Sequence, residues 1–157
     1  MLQIDTASLS GNAVQPATRT AANDGATPYL APLYAPFPQL LGVEVVEATP
    51  ARVRARMTVR AEFCRTGKTM HGGPIMAFAD VTGSIAAFLN LPEGCATTTI
   101  ESKTNFLSAA KEGAVIEAET TPFHVGRRSS VWHTQVKHEN GKLIAVITQT
   151  QMVLEKN

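Results

Sequence analysis

The most regular stretch of the chain is Ala51–Arg60, where apolar and polar residues alternate without a break. Ala51, Val53, Ala55, Met57 and Val59 share one side of an extended backbone; Arg52, Arg54, Arg56, Thr58 and Arg60 share the other. Period two predicts a strand with one face in a core and one in water, as in an antiparallel sheet. The arginine row is read as that solvated face, with a patch for an acidic ligand as the competing reading. Leu41–Ala48, rich in valine, predicts a preceding strand, and Pro50 marks the turn between them. Ala61–Met70 reads as a loop. The period then changes. Gly72-Gly73-Pro74 opens a helix, with proline suited to its first turn, that runs to about Leu89 and stops in Asn90–Gly94. Strands are predicted at Cys95–Leu107, Ala114–His124, Ser129–His138 and Leu143–Leu154. Val125–Arg128 joins the second of these to the third, and Asn140-Gly141 is a hairpin signal before the last. Two strands, a helix and four more strands, with no internal repeat, predict an α+β fold: an antiparallel sheet that must bury one main helix.

From Gly72 to Leu89 that helix has one charged residue, Asp80. Ile75, Met76, Phe78, Val81, Ile85, Phe88 and Leu89 spread apolar surface all round it, which predicts a buried helix. A carboxylate there is costly unless it is paired or hydrogen-bonded. It is either a structural group satisfied by amides or an arginine, or a candidate nucleophile or base. Its neighbours favour chemistry. Ser84 follows one turn later on the same face, where a hydroxyl beside a carboxylate can hold a water. Gly72 and Gly73 sit at the helix start, where free N–H groups and the positive dipole end can polarise a carbonyl. Gly72, Met76 and Asp80 recur at four-residue steps, so the polarising amide and the attacking group are expected on one side of one helix. His71, just ahead of the glycines, is expected to cap the helix, to pack, or to touch substrate. Gly126-Arg127-Arg128-Ser129-Ser130, where two strands meet, offers guanidiniums, hydroxyls and turn amides suited to a phosphate. An exposed basic turn without a ligand is the alternative.

Composition changes the picture at the N-terminus. Residues 1–40 hold three charges (Asp5, Arg19 and Asp24) and five of the nine prolines, too little apolar surface over residues 1–27 to offset the entropy of ordering them. A mobile arm is expected over residues 1–27 and one domain over 28–157, with Pro28–Pro38 as a short irregular or helical lead-in. The formal net charge of +1 argues against a nucleic-acid partner. The longest apolar stretch, Ile75–Leu91, contains Asp80, Thr82, Gly83 and Ser84, too polar to span a bilayer. With no basic, apolar leader and only Arg19 basic before position 52, a cytoplasmic protein is expected. Cys64 and Cys95 are read as buried, reduced thiols. His124, His133 and His138 show no metal-ligand spacing with them, and no zinc site is expected. Neither a Walker loop nor a GxGxxG is present.

His71-Gly72-Gly73-Pro74-Ile75-Met76-Ala77-Phe78-Ala79-Asp80 resembles the HGG-to-acid signature of hotdog-fold acyl-CoA thioesterases, in particular the phenylacetate-pathway and 4-hydroxybenzoyl-CoA branch. The resemblance runs from about Leu40 to Leu154, taking in Thr104-Asn105-Phe106-Leu107-Ser108-Ala109 and Val125-Gly126-Arg127-Arg128-Ser129-Ser130. It implies a sheet wrapped round the long helix, a homodimer that often pairs into a dimer of dimers, and sites shared between subunits. It implies hydrolysis of an acyl-CoA to carboxylate and CoA, with no metal or organic cofactor. Asp80 matches the acid that attacks the thioester or activates water. Gly72 matches the polarising N–H and Ser84 the water-holding hydroxyl. His71 is counted with them as a catalytic residue, and Gly73 as a substrate contact. Arg127, Arg128, Ser129 and Ser130 match the CoA-contacting turn. The family often has Asn or Gln seven residues before the first glycine; here that residue is Arg65. A hotdog protein that binds acyl-CoA without hydrolysing it is the alternative function. A hotdog dehydratase or hydratase is a poorer one, because His71 beside Gly72 does not match its His–acid pair.

Overall fold

The computed structural model describes residues 35–155. The expected arm and most of the Pro28–Pro38 lead-in lie outside them. The first element is a short helix, α1 (Pro36–Leu41), with proline at its start and Gly42 at φ 72° closing it. A left-handed residue after the last turn stops a helix and is easiest for glycine. This corrects the expected strand from Leu41: β1 is Glu44–Ala48. Then come β2 (Val53–Thr58), a 3-10 turn (Ala61–Phe63), β3 (Cys64–Arg65), β4 (Thr69–Met70), α2 (Gly72–Phe88), β5 (Ala96–Phe106), β6 (Val115–Val125), β7 (Ser129–His138) and β8 (Leu143–Leu154). The stretch read as a loop thus holds a small antiparallel hairpin, β3–β4.

Six strands form one antiparallel sheet in the order β1-β2-β6-β7-β8-β5, with α2 against one face. The α+β expectation is met. β5, next to the helix in sequence, ends up at the far edge of the sheet, beside β8. Val53, Ala55, Met57 and Val59 are buried, as their alternation predicts. They join Phe78, Ile85, Ile116, Trp132, Val136, Ile144 and Ile147 between helix and sheet. Truncating an aromatic as buried as Phe78 or Trp132 to alanine costs about 3–5 kcal/mol. On the outer face Arg52 grips Glu47 with Nε and Nη2 at 3.0 and 2.9 Å, and Arg56 meets Glu44 at 2.8 Å. Arg54 lies between Glu117 and Glu119. Arg52, Arg54 and Arg56 thus make an ion-paired solvated face, while Arg60 donates to the Leu40 carbonyl and lies over the Phe63 ring.

Two expectations need correction. Cys64 and Cys95 are free but only half-buried: Cys64 lies in the small β3–β4 hairpin, at the margin of the core, and Cys95 just before the edge strand β5. The helix is not covered on all sides either. Gly72, Asp80, Ser84 and Phe88 are half-buried and Met76 is 39% exposed. These residues recur every four positions, so they form one open stripe beside β5 while Ile75, Phe78, Val81 and Ile85 hold the core face. Among the described residues no helix is long and apolar enough to cross a membrane.

Candidate active site

The open stripe begins at the first turn of α2. His71 is the N-cap, and its Nδ1 accepts the Gly73 N–H at 3.3 Å. Pro74 has no N–H to offer. Gly72 therefore keeps the free amide of that turn, with no partner among the described residues. A Cβ at Gly72 would stand 2.8 Å from Phe106 Cζ, so the ring, half in solvent and free to swing aside, lies directly against the backbone. The structure thus gives His71 a capping role and uses the N–H of the exposed Gly73 in that cap.

Asp80 lies two turns further on. Its Oδ1 accepts the Thr99 hydroxyl of β5 at 2.9 Å and the Gln149 Nε2 of β8. Its Oδ2 has no hydrogen-bond partner among the described residues. Gln149 also donates to Thr99 Oγ1 at 3.0 Å, and Gln151 Nε2 donates to the same oxygen at 2.8 Å. Thr99 then gives its one proton to Asp80 and fills both lone pairs, the full capacity of a hydroxyl. Thr97 Oγ1 lies 3.0 Å from both Gln151 Oε1 and the Met152 carbonyl, two acceptors for its one proton. Gln149 and Gln151 are buried. Ser84 does not touch Asp80; its Oγ accepts from Gln151 Nε2 at a long 3.4 Å. The carboxylate is thus held by side chains of the sheet, and not by backbone amides or an arginine.

Thr99, Gln149 and Gln151 are absent from the sequence reading. Their signal is faint. β8 is polar at four successive positions, Thr148 to Gln151, so two amides occupy the inward register that Ala145 and Ile147 set. A second signal is Gly83, mid-helix, where glycine costs about 1 kcal/mol relative to alanine. A Cβ there would overlap Gln149 Oε1 and stand 2.9 Å from its Cδ.

The basic turn between β6 and β7 divides in two. Arg127 and Arg128 are exposed and Ser129 is half-buried. Ser130 faces inward, 6% exposed, where its hydroxyl accepts the Trp132 indole N–H at 2.8 Å. It is a packing residue and not a phosphate contact, because strand alternation sends it to the core side. Ser130 pairs with Gln151, whose amide reaches Ser84 and Thr99, so the turn lies toward the Asp80 end of α2. Arg65 is exposed on the β3–β4 hairpin. Among the described residues no three His, Cys, Asp or Glu side chains gather into a metal-binding cluster.

One further dimension matters. Gly72 and Asp80 are eight residues apart on one helix. At a rise of 1.5 Å per residue that is about 12 Å, reduced only a little by the backward lean of helical side chains. A carbonyl needs its donor about 3 Å from oxygen and its attacking atom about 3 Å from carbon, and a water activated by the carboxylate adds about 3 Å more, about 10 Å in all. The two groups of one chain do not reach one carbonyl. The expectation that the two groups lie on one side of one helix is met; it is their separation along the helix that keeps one chain's pair from a common carbonyl.

Residues 67–145 match the thioesterase superfamily. The Putative esterase ComA2 of Bacillus subtilis is 33% identical over 120 residues, 75% of this chain and 94% of that protein. The solved thioesterase HI1161 of Haemophilus influenzae superposes with a TM-score of 0.71 at 29% identity, covering 75% of this chain and 82% of its own. A hypothetical thioesterase protein of Streptococcus pneumoniae, solved with coenzyme A, shares the fold at a TM-score of 0.67 and 21% identity, over 73% of this chain and 88% of that one.

Proposed function

The chain belongs to the thioesterase superfamily and has its hotdog fold, and from that premise we propose that it hydrolyses acyl-CoA thioesters to a carboxylate and free CoA. The observation that carries the reading is Asp80: a carboxylate on the open stripe of the helix, with Oδ1 tied to the sheet and Oδ2 free. The thioester oxygen accepts a hydrogen bond from the free Gly72 N–H, at the positive end of the helix, where charge develops as the carbonyl is attacked. Asp80 Oδ2 takes a proton from water, and the water oxygen bonds to the carbonyl carbon. The tetrahedral intermediate collapses, the C–S bond breaks, and CoA leaves as the thiolate, which is protonated to the thiol. Direct attack by Oδ2, giving an anhydride that water opens, uses the same atoms and products. No step calls for a metal or an organic cofactor.

Two copies of the chain share each site. The distance of about 12 Å between Gly72 and Asp80 requires a second helix start. β5 supports where it comes from, because it is an edge strand that holds Asp80 through Thr99. A second copy pairing along that edge sets its own Gly72 against this Asp80. Arg127, Arg128 and Ser129 take the CoA phosphates at the Asp80 end, in keeping with a CoA-bound relative of the same fold.

The test is thiol release from aryl-, short-, medium- and long-chain acyl-CoAs by the wild type and Asp80→Asn. Hydrolysis lost in the folded variant supports the reading. No hydrolysis of any acyl-CoA by the wild type sinks it in favour of a binding protein.

A further inference from the structure

The groups that hold Asp80 are built for one arrangement, and the helix makes room for them. Gln149 is fully buried, yet its Oε1 finds no partner among the described residues. A buried, unpaired amide oxygen is costly. The amide stays because its other end donates to both Asp80 Oδ1 and Thr99 Oγ1. It reaches that position only because residue 83 lacks a side chain, since any Cβ there would overlap Gln149 Oε1. A glycine in mid-helix and an orphaned carbonyl are two local losses, and both are accepted at one contact. We infer that Gln149, seated on Gly83 and locked by Thr99 and Gln151, is a positioning residue that pins Oδ1 of Asp80 and presents Oδ2 as the reacting oxygen. The inference rests on the hydrolase reading of Asp80 and adds the residues that aim it.

The locking follows from hydrogen-bond polarity. The amide ends of Gln149 and Gln151 both point their N–H groups at Thr99 Oγ1, which leaves that hydroxyl proton only one place to go, Asp80 Oδ1. Gln151 Oε1 faces the Thr97 hydroxyl, whose one proton it shares with the Met152 carbonyl. The carboxylate cannot turn without breaking both of its bonds together, and bonds to a charged group are the stronger kind. The rotamer of Asp80 is therefore set by β5 and β8 rather than by its own helix.

The experiment measures kcat and KM for Gln149→Leu, Gly83→Ala, Thr99→Val and Thr99→Ser with the best acyl-CoA of the panel, together with melting temperature. Gln149→Leu and Thr99→Val are expected to lower kcat about 10- to 100-fold with KM changed less than about threefold, because each removes a donor to a charged acceptor. Thr99→Ser keeps the hydroxyl and is expected to stay within about threefold of wild type. Gly83→Ala tests the seat without touching the site. Its clash is with the far end of a flexible side chain, so the protein folds while the amide is pushed off Asp80, and kcat falls about tenfold or more. A wild type that hydrolyses, with folded Gln149→Leu and Gly83→Ala keeping full kcat, overturns the positioning role and leaves the hydrolase reading intact. A serine variant as impaired as the valine variant also counts against it. A wild type inert toward every thioester overturns both.

Discussion

Two polar clusters meet the sheet from neighbouring positions of α2, one at Thr82 and one at Asp80. Thr82 faces the core. Its hydroxyl donates to Ala79 O at 3.0 Å, and Thr120 Oγ1 donates to Thr82 at 2.9 Å. Each hydroxyl has one proton, so the 2.7 Å contact between Thr120 and Thr134 must run from Thr134 to Thr120. All three threonines are fully buried. The chain of protons ends on a helix carbonyl and nothing in it is open to a ligand. The Asp80 cluster uses the same kinds of bond but is left unfinished. Oδ2 of Asp80 and Oε1 of Gln149 have no partners among the described residues, and the helix stripe above them is half-exposed. A closed polar cluster holds helix to sheet; one with a free, accessible valence can do chemistry.

The sharpest way to break that comparison is Asp80→Asn. Loss of the base is expected to reduce kcat by about a hundredfold to ten-thousandfold, with the fold retained by circular dichroism. Equal rates would make Asp80 another structural anchor. Gly72→Pro comes next: proline suits the first helical position but deletes the N–H, and kcat is expected to fall about a hundredfold or more. Mixing it with Asp80→Asn tests the shared site. Random re-pairing puts half the chains in mixed dimers with one complete site each, so about a quarter of wild-type activity returns. No recovery after unfolding and refolding the two together would mean that each chain carries its whole site. Thr120→Val should do the opposite of Asp80→Asn, costing about 1–3 kcal/mol of stability and lowering Tm by several degrees while kcat holds. The smallest effect is expected from Arg127→Gln with Arg128→Gln. KM for acyl-CoA rises several-fold and loses its dependence on salt, because exposed guanidiniums act on phosphates through a screened field. An unchanged KM would make the turn an unliganded basic surface.

Local pattern carried much of this protein. The Ala51–Arg60 alternation states both faces of β2, because strand periodicity is a property of neighbours in the chain. Asp80 stands out as the one charge in an apolar helix, and Gly72 as a helix start without a side chain. Burial then refined what composition overstated. Ser130 looks like a turn hydroxyl but turns under Trp132, and His71 looks like a reactive imidazole but spends Nδ1 on a cap. The open stripe of α2 was invisible because an all-apolar helix reads as buried all round, whereas β5 at the sheet edge leaves one side uncovered.

What the amino-acid sequence determined by itself is the alphabet of the site: one carboxylate, one free amide, and the strands and helix that carry them. Only the tertiary structure decided how the carboxylate is held. Thr99 and Gln149 lie 19 and 69 residues from Asp80, and they meet it because the sheet places β5 beside β8 under the same side of the helix. Side-chain hydrogen bonds depend on distances of a few tenths of an ångström between segments remote in the chain. No periodicity encodes those distances; packing does.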